Sequence, residues 1–569
     1  MAKRIITNPK FIVERDGDNW VLKFKDGNIY KPIEFNNAQF SGKRNAVITN
    51  PNFSIIKNNL YVNINGHDVK IGEVGDGYTK NVSNAIDEPN LDIVLTASGK
   101  IIVVVDVNGR LISINGGNPT PVVDGWYGVE IDETNTDPAA AVTRIASDMA
   151  LHASLPIQSG MRRCVMNASG VNYYLDAADS TLKADGTAAV LDGTDGDVMV
   201  EIPEHWVLVT KNIGKDIMKL TVKLAMAEGE LEGAQRVPLH YISAYQAHVD
   251  NSVLTSVSGS GATGKLNIGE FRDAANAKNT NEVSGWSQMT YDYAVDLYWL
   301  FLVEYANRDS QAAVNNSLTP EGYRQGGLGM GCTYVYSIKD YPAVLNGATN
   351  SLGNNSGEIS GVTPLSGSGT ATVNSYRGIE NPFGNIHTFY DGIVNIYGNI
   401  YRAADIADYK SFFYEATGDT TMNYEVGQVV VTSGKEGYEY YLCIESSTAG
   451  DKLSNDTKFE PTDMATLGYT LDATYISDEF RGYMSAVNNG NLPLGSILAS
   501  AVDGTESTGY CDYSAADAVS LSCVCGGGGA SGSAVAAPYY GLACVNAYGS
   551  VFGYARASLG SRLCYTSGE

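Results

Sequence analysis

CDYSAADAVSLSCVCGGGGASGSAVAAPYYGLACVNAYGSVFGYARASLGSRLCYTSGE, residues 511–569, is the stretch whose reading decides the fold. It is built from Gly, Ala, Ser, Tyr, Val and Cys, and beyond Ala518 its only charged residues are Arg556, Arg562 and Glu569. A segment so poor in charge is no solvated tail. Aromatic and β-branched residues among small ones pair into strands and are buried, or they present a binding surface. Tyr539, Tyr540, Tyr548 and Tyr554 stand among Ser, Gly and Ala. Large flat rings with little rotamer entropy to lose, spaced by small residues, are the chemistry of adaptable recognition surfaces. A core sheet with ordinary buried tyrosines fits the same composition, and both readings stay open at this point.

Working outward, 569 residues suggest roughly three or four domains. A hydrophobic content of 44% supplies real cores. The net charge is −25, with 38 basic residues against 63 acidic ones. A surface this acidic repels phosphate backbones and anionic bilayers, so neither nucleic acid nor membrane is an expected partner. MAKRIITNPKF at the start lacks the apolar core of a secretory signal. The longest apolar run, Ala294–Ala306, carries Asp296 and Glu304 and does not read as a membrane span. The expectation is assembly in a cytoplasm. Of the eight cysteines, Cys511, Cys523, Cys525, Cys544 and Cys564 fall in the terminal stretch, where histidine and CxxC spacing are both lacking. Buried thiols are expected there, with no metal and no cofactor.

Residues 1–124 are strand-rich and repetitive. ITNPKFIV (Ile6–Val13) recurs as ITNPNFSI (Ile48–Ile55). Asp26-Gly27, Asn65-Gly66 and Asn108-Gly109 each divide two period-two runs, the pattern of tight hairpins. The expected modules are 1–45 and 46–124, both needing partners to bury their faces. Pro119, Pro121 and Gly125 mark the next boundary. Residues 125–236 form a turn-rich β region. Within it, Asp137-Pro138 reads as the cap and first residue of a helix over AAAVTRIASDMAL, and VMVEIP (Val198–Pro203) as a strand. LHYISAYQAHV (Leu239–Val249) reads as another strand. Gly259, Gly264 and Lys265 match phosphate-loop spacing, but Leu266 stands where Ser or Thr is needed and NIGEF does not read as a helix start. The clearest helix is TYDYAVDLYWLFLVEYANR (Thr290–Arg308). Thr290 caps it, and it is apolar nearly all round, as a buried helix is. Asn350–Asn374 is a polar loop. Glu380, His387 and Asp391 lie close in sequence without a nucleophile motif, so no catalytic residue is assigned. Residues 405–468 differ in texture and read as a small β-module inserted between two parts of one domain, 237–404 and 469–569.

The segments LPIQSGMRRC (Leu155–Cys164), VMVEIPEHW (Val198–Trp206), YISAYQAHV (Tyr241–Val249), WSQMTYDYAVDLYWLFLVEYANRDSQAA (Trp286–Ala313), LTPEGYRQGGLGMG (Leu318–Gly331), RGIENPFGNIHTFYDG (Arg377–Gly392) and GSRLCY (Gly560–Tyr565) together resemble a family of virion surface proteins of Bacteroidales phages, including crAss-like phages. The resemblance covers roughly 125–569 without the insert. More distantly the pattern is similar to the C-type-lectin fold in its formylglycine-generating-enzyme-like form, with Gly384–Asp391, Gly526–Gly529 and Gly560–Leu563 in the matching places. Phage receptor-binding proteins use exposed residues near the C-terminus of that fold. By this resemblance Tyr539, Tyr540, Asn546, Tyr548, Ser550, Phe552 and Tyr554 are the receptor-contact candidates. The copper-binding cysteines of the enzymes have no counterpart here, and fold alone does not carry activity. The insert is similar to small chitin- or cellulose-binding modules through Tyr424, Gly427, Val430, Tyr441 and Cys443. Tyr438, Tyr440 and Tyr441 are then candidates for stacking on a sugar, beside the plainer reading of a structural hairpin.

The sequence-based expectation is therefore a mostly β fold with some α: small N-terminal β-modules, then a large C-type-lectin-like head with a small β insertion. Residues 1–124 would attach to other virion proteins or to sister chains, in a homotrimer. The head would bind a host-surface glycan or protein. The alternatives are a decoration protein without ligand, and a capsule-degrading enzyme using Glu380 and Asp391.

Overall fold

A computed structural model describes residues 125–566 except 169, 215–216, 282, 313, 330–331, 333–341, 367, 404, 406–407, 410–412, 417–421, 435–436, 529–539 and 549–551, and the backbone of nine strands between Phe11 and Ile114. Two compact units result, Met1–Val122 and Val123–Glu569. The first holds three consecutive three-stranded antiparallel meanders: Phe11–Asp16, Asn19–Asp26 and Ile29–Ile33; Asn52–Ile56, Asn59–Ile64 and His67–Glu73; Ile93–Thr96, Gly99–Val105 and Leu111–Ile114. Ile64 pairs with His67, and Asn65-Gly66 between them lies outside the described residues. In the first module Asp26 pairs with Ile29 and so belongs to the strand, while Gly27 lies outside the described residues. The stretch 46–124 contains two of the three meanders. A shared sequence pattern accompanies them: Pro9-Lys10-Phe11 and Pro51-Asn52-Phe53 run into the first strands of two meanders, and Pro89-Asn90-Leu91 precedes the third.

The second unit is mostly β with some α. One sheet has six strands in the order Gly170–Tyr174, Arg162–Asn167, Asp197–Ile202, His240–Ser243, Leu563–Thr566 and Trp286–Gln288. An eight-stranded sheet runs through Tyr469–Thr474, Asn399–Ala403, His387–Ile396, Leu521–Gly527, Gly541–Ala547, Tyr513–Ala516 and Phe480–Tyr483, with Leu559-Gly560 added in parallel to His387-Thr388. A five-stranded sheet is built from Trp126–Asp132, Val142–Ala146, His205–Gly214, Ile217–Ala225 and Gln235–Val237. The terminal stretch thus lies inside two sheets. Leu521–Gly527 is buried along its whole length, and a strand covered on both faces needs no polar alternation.

The helix Tyr291–Tyr305 lies within the main core, as its apolar surface requires. The Thr290 side chain accepts from Tyr293 N at 3.2 Å and caps it. Its carboxylates follow one i, i+4 row, and each meets a cation from a different part of the chain. Arg402 Nε donates to Asp292 at 2.6 Å, His205 Nε2 to Asp296 at 2.9 Å, and Arg377 grips Glu304 with two bonds of 3.0 and 2.7 Å. Trp299 Nε1 donates to Leu494 O at 2.7 Å from a fully buried position. Near the other end of the sequence, buried Arg562 donates to Ser243 O at 3.1 Å, to Glu380 O at 2.5 Å and to Asn381 O. One guanidinium so ties the six-stranded sheet to the segment leading into the eight-stranded one.

Four local expectations are corrected. No helix follows Asp137: its carboxylate accepts from Ala139 N and Ala140 N to close a turn, and Val142–Ala146 pairs with Trp126–Asp132 as a strand. β-Branched Val142, Thr143 and Ile145 favour that outcome. Leu239–Val249 is two short strands, His240–Ser243 and His248–Asp250, joined by a bend. Asn267 does open a helix, Ile268–Asn276, through a capping box with Glu270. Gly264 still makes no phosphate cradle, because a Cβ there would meet the Ala557 carbonyl at 2.5 Å. The polar stretch 350–374 contains most of a hairpin, with Gly357–Val362 paired to Ala371–Tyr376.

Candidate functional site

The strand Gly541–Ala547 orders most of the receptor-contact candidates. Tyr540, just before it, is 1% exposed and belongs to the main core. Phe552 is 4% exposed, with its ring 5.6 Å from that of Phe413. Neither offers surface to a receptor, which corrects the expectation for both. Asn546 is half-buried, and its carboxamide oxygen accepts from Tyr548 N at 2.9 Å. That bond sets up the exposed Tyr548, whose ring lies 5.9 Å from the Arg481 guanidinium. Tyr554 is half-buried under Arg556, 4.0 Å away. Tyr539 and Ser550 lie outside the described residues.

In the insert, Phe413–Glu415, Val429–Gly434, Gly437–Cys443 and Phe459–Thr462 form a four-stranded sheet. Period-two alternation divides it into two faces. Phe413, Val429, Val431, Tyr440 and Leu442 join a core shared with the eight-stranded sheet, whereas Val430, Tyr441 and Cys443 pack with Tyr424 and Phe459. Tyr440 is therefore a seam residue. Tyr441 is half-buried and donates to Glu439 at 3.1 Å. Tyr438 reaches the surface, stacked on Tyr397 with centroids 4.4 Å apart and planes at 11°. Tyr397 was not singled out from sequence. The available signal was Tyr397-Gly398 between Asn395-Ile396 and Asn399-Ile400, a short hairpin turn.

The two acids of the enzymatic alternative are buried and held by hydrogen bonds. Glu380 is 1% exposed and accepts from Gly347 N at 2.8 Å and from Thr349 N and Oγ1 at 2.6 and 2.8 Å. Burial raises its pKa, and the nearby Arg163 guanidinium opposes that. Asp391 is 4% exposed, clamped by Arg272 through two bonds and joined by Gln288 Nε2 at 3.0 Å. Burial pushes His387 down to about 4.

A different titratable cluster lies in the core. Pro203-Glu204-His205 and Pro238-Leu239-His240 are twin Pro-x-His motifs. In each, ring Nδ1 points at the carbonyl of the proline two residues before, at 2.8 and 3.0 Å. Both fully buried rings approach Asp296. His205 Nε2 lies 2.9 Å from Oδ1, and His240 Nε2 lies 4.0 Å from Oδ2. His205 faces acceptors at both nitrogens, so it donates at both and is the imidazolium. Burial works against that charge, but the Asp296 carboxylate overrides it and raises the pKa. His240 makes no bond to Asp296, and burial pushes it down to about 4. Its ring stacks on Tyr293 at 4.1 Å.

All eight cysteines are buried. Among the described residues no group of His, Cys, Asp and Glu is arranged to hold a metal ion, and no helix is long and apolar enough to cross a membrane. No protein family and no curated protein matches this chain.

Proposed function

We propose that the chain is a virion surface protein of a Bacteroidales phage, a fibre or capsid decoration, whose large unit binds a host-surface glycan or protein. The observation that carries this reading is the organisation into repeated β-meanders followed in sequence by one large compact unit with a tyrosine-bearing sheet end. A three-stranded meander buries too little by itself to be robust, so three in tandem suit attachment to other virion proteins and assembly with sister chains. Homotrimeric assembly belongs to the proposal, because repeated copies turn a weak single contact into firm adhesion. So does a C-type-lectin-like form for the head. The capsule-degrading alternative has little support, since Glu380 and Asp391 are locked by structural partners. Immunogold labelling of particles of the encoding phage with an antibody to the chain tests the reading. Gold on intact particles is expected, and unlabelled particles would refute it.

A further inference from the structure

One end of the eight-stranded sheet is assembled from converging loops that display apolar side chains. The turn Tyr397-Gly398, the loop after Thr474 and the loop Asp517–Ser520 are joined by backbone hydrogen bonds: Tyr475 N to Gly398 O at 2.7 Å, Tyr397 N to Ser520 O at 2.9 Å and Ala518 N to Ser477 O at 3.0 Å. The Asn395 carboxamide adds a fourth segment, donating to Asp517 O at 3.0 Å and to Ala547 O at 2.8 Å, just before Tyr548. From this rigid base Ile476 is 94% exposed, Val519 59%, Tyr548 39% and Tyr438 37%.

Two features of this end are not explained by folding. A branched aliphatic as solvated as Ile476 stabilises nothing within the chain, and single exposed apolar residues rarely gather with others by accident. Tyr397 sits at φ +49 and Gly398 at +91, the left-handed pair of a two-residue hairpin turn. Asn or Gly occupies the first of those positions without strain, whereas an aromatic residue is strained there. Backbone strain held in place by its surroundings is characteristic of functional sites. Here the strain aims a ring at Tyr438. The rim is acidic: Glu415, Asp478 and Glu479 are exposed; Glu415 is hydrogen-bonded by Tyr397 and Glu479 pairs with Arg481.

The geometry points to a docking surface for a protein partner whose contact patch is apolar at its centre and rimmed by Lys or Arg. Ile476 and Val519 gain most from burial against other side chains, since a saccharide offers them mainly hydroxyls. The exposed carboxylates select basic groups on the partner's rim. The inference rests on the adhesin reading and narrows its ligand to protein.

The test uses fluorescently labelled full-length chain and cells of the strain on which the phage grows. The unsubstituted chain adsorbs, proteinase K treatment of the cells abolishes adsorption, and periodate treatment does not. Ile476→Asp or Val519→Asp lowers adsorption by about tenfold or more, as loss of a central anchor does. Ile213→Asp, at a 71% exposed position in the five-stranded sheet, leaves it unchanged. Both Asp variants unfold at the parent's temperature, since each replaces an exposed side chain, which separates lost contact from lost fold. Adsorption that survives proteinase K but not periodate, or that is unchanged in both Asp variants, overturns the inference and leaves the adhesin reading standing. No adsorption by the unsubstituted chain overturns the reading and the inference with it.

Discussion

Acidification should unfold the large unit through its buried neutral histidines. His240 titrates at about 4 in the fold and at about 6.5 in an unfolded chain. Folded His240 resists protonation, so its contribution to stability is complete above pH 6.5 and is lost as the pH falls through 4. At about 1.4 kcal/mol per unit, the full loss is about 3.4 kcal/mol, of which about 2.5 kcal/mol falls between pH 7 and 4.5. His152 is 1% exposed and also pushed down to about 4 by burial, so it adds a like amount. Together they approach about 7 kcal/mol, comparable with the whole stability of an ordinary domain. His205 has the opposite sign. Its raised pKa makes its contribution complete below pH 6.5 and lost only as the pH climbs through the raised value, so it offsets nothing in the acid window. The assay is guanidinium unfolding followed by tryptophan fluorescence at pH 7 and 4.5, in the parent and in His240→Gln. Other titrating groups cancel when the two pH-induced changes are compared. The variant should lose about 2.5 kcal/mol less than the parent between the two pH values. Equal losses, within about 0.5 kcal/mol, would show that His240 is not the buried neutral base described here.

Arg562→Met should lower stability by about 3–5 kcal/mol, because three buried carbonyls lose a charged donor at once, and urea midpoints measure it. A change below about 1 kcal/mol would remove Arg562 as the tie between the sheets. Asp391→Asn strands a buried guanidinium on Arg272 and should cost about 3–5 kcal/mol, whereas Asp391→Asn with Arg272→Met recovers part of that loss in a double-mutant cycle. An aromatic disulfide reagent should react with none of the eight buried cysteines in the native chain. Rapid native labelling would contradict their burial.

Long, uniform signals in the sequence specify an element, and ambiguous ones do not. The helix from Thr290 was legible because a capping hydroxyl precedes fifteen residues of nearly unbroken apolar surface. The terminal stretch was legible as strands for want of charge. Its surface residues were not, because Leu521–Gly527 is covered on both faces and gives no alternation to say which side is out. Tyr540 and Phe552 therefore could not be told from Tyr548 by composition. Asp137 misled because an Asp that caps a turn and one that caps a helix make the same first bonds, and only Val142-Thr143 decides between them. The capping box at Asn267 follows closely on the phosphate-loop spacing that ends at Lys265. Ile476 and Val519 carry no sequence signal at all, since isolated aliphatics in loops are common and only the tertiary fold brings these two together.

The strand Leu563–Thr566 lies between His240–Ser243 and Trp286–Gln288, which have no other connection within that sheet. Synthesis therefore delivers the sheet as two fragments with open edges, and the strand that closes them is made after both. At about 5–20 residues per second, the nascent unit spends on the order of ten seconds or more with those edges unpaired. Such edges are templates for pairing with other chains. On a polysome crowded with copies of the same message, nearby nascent chains compete for them, so the yield of folded protein should depend more on chaperone supply and translation rate than on the final stability of the fold.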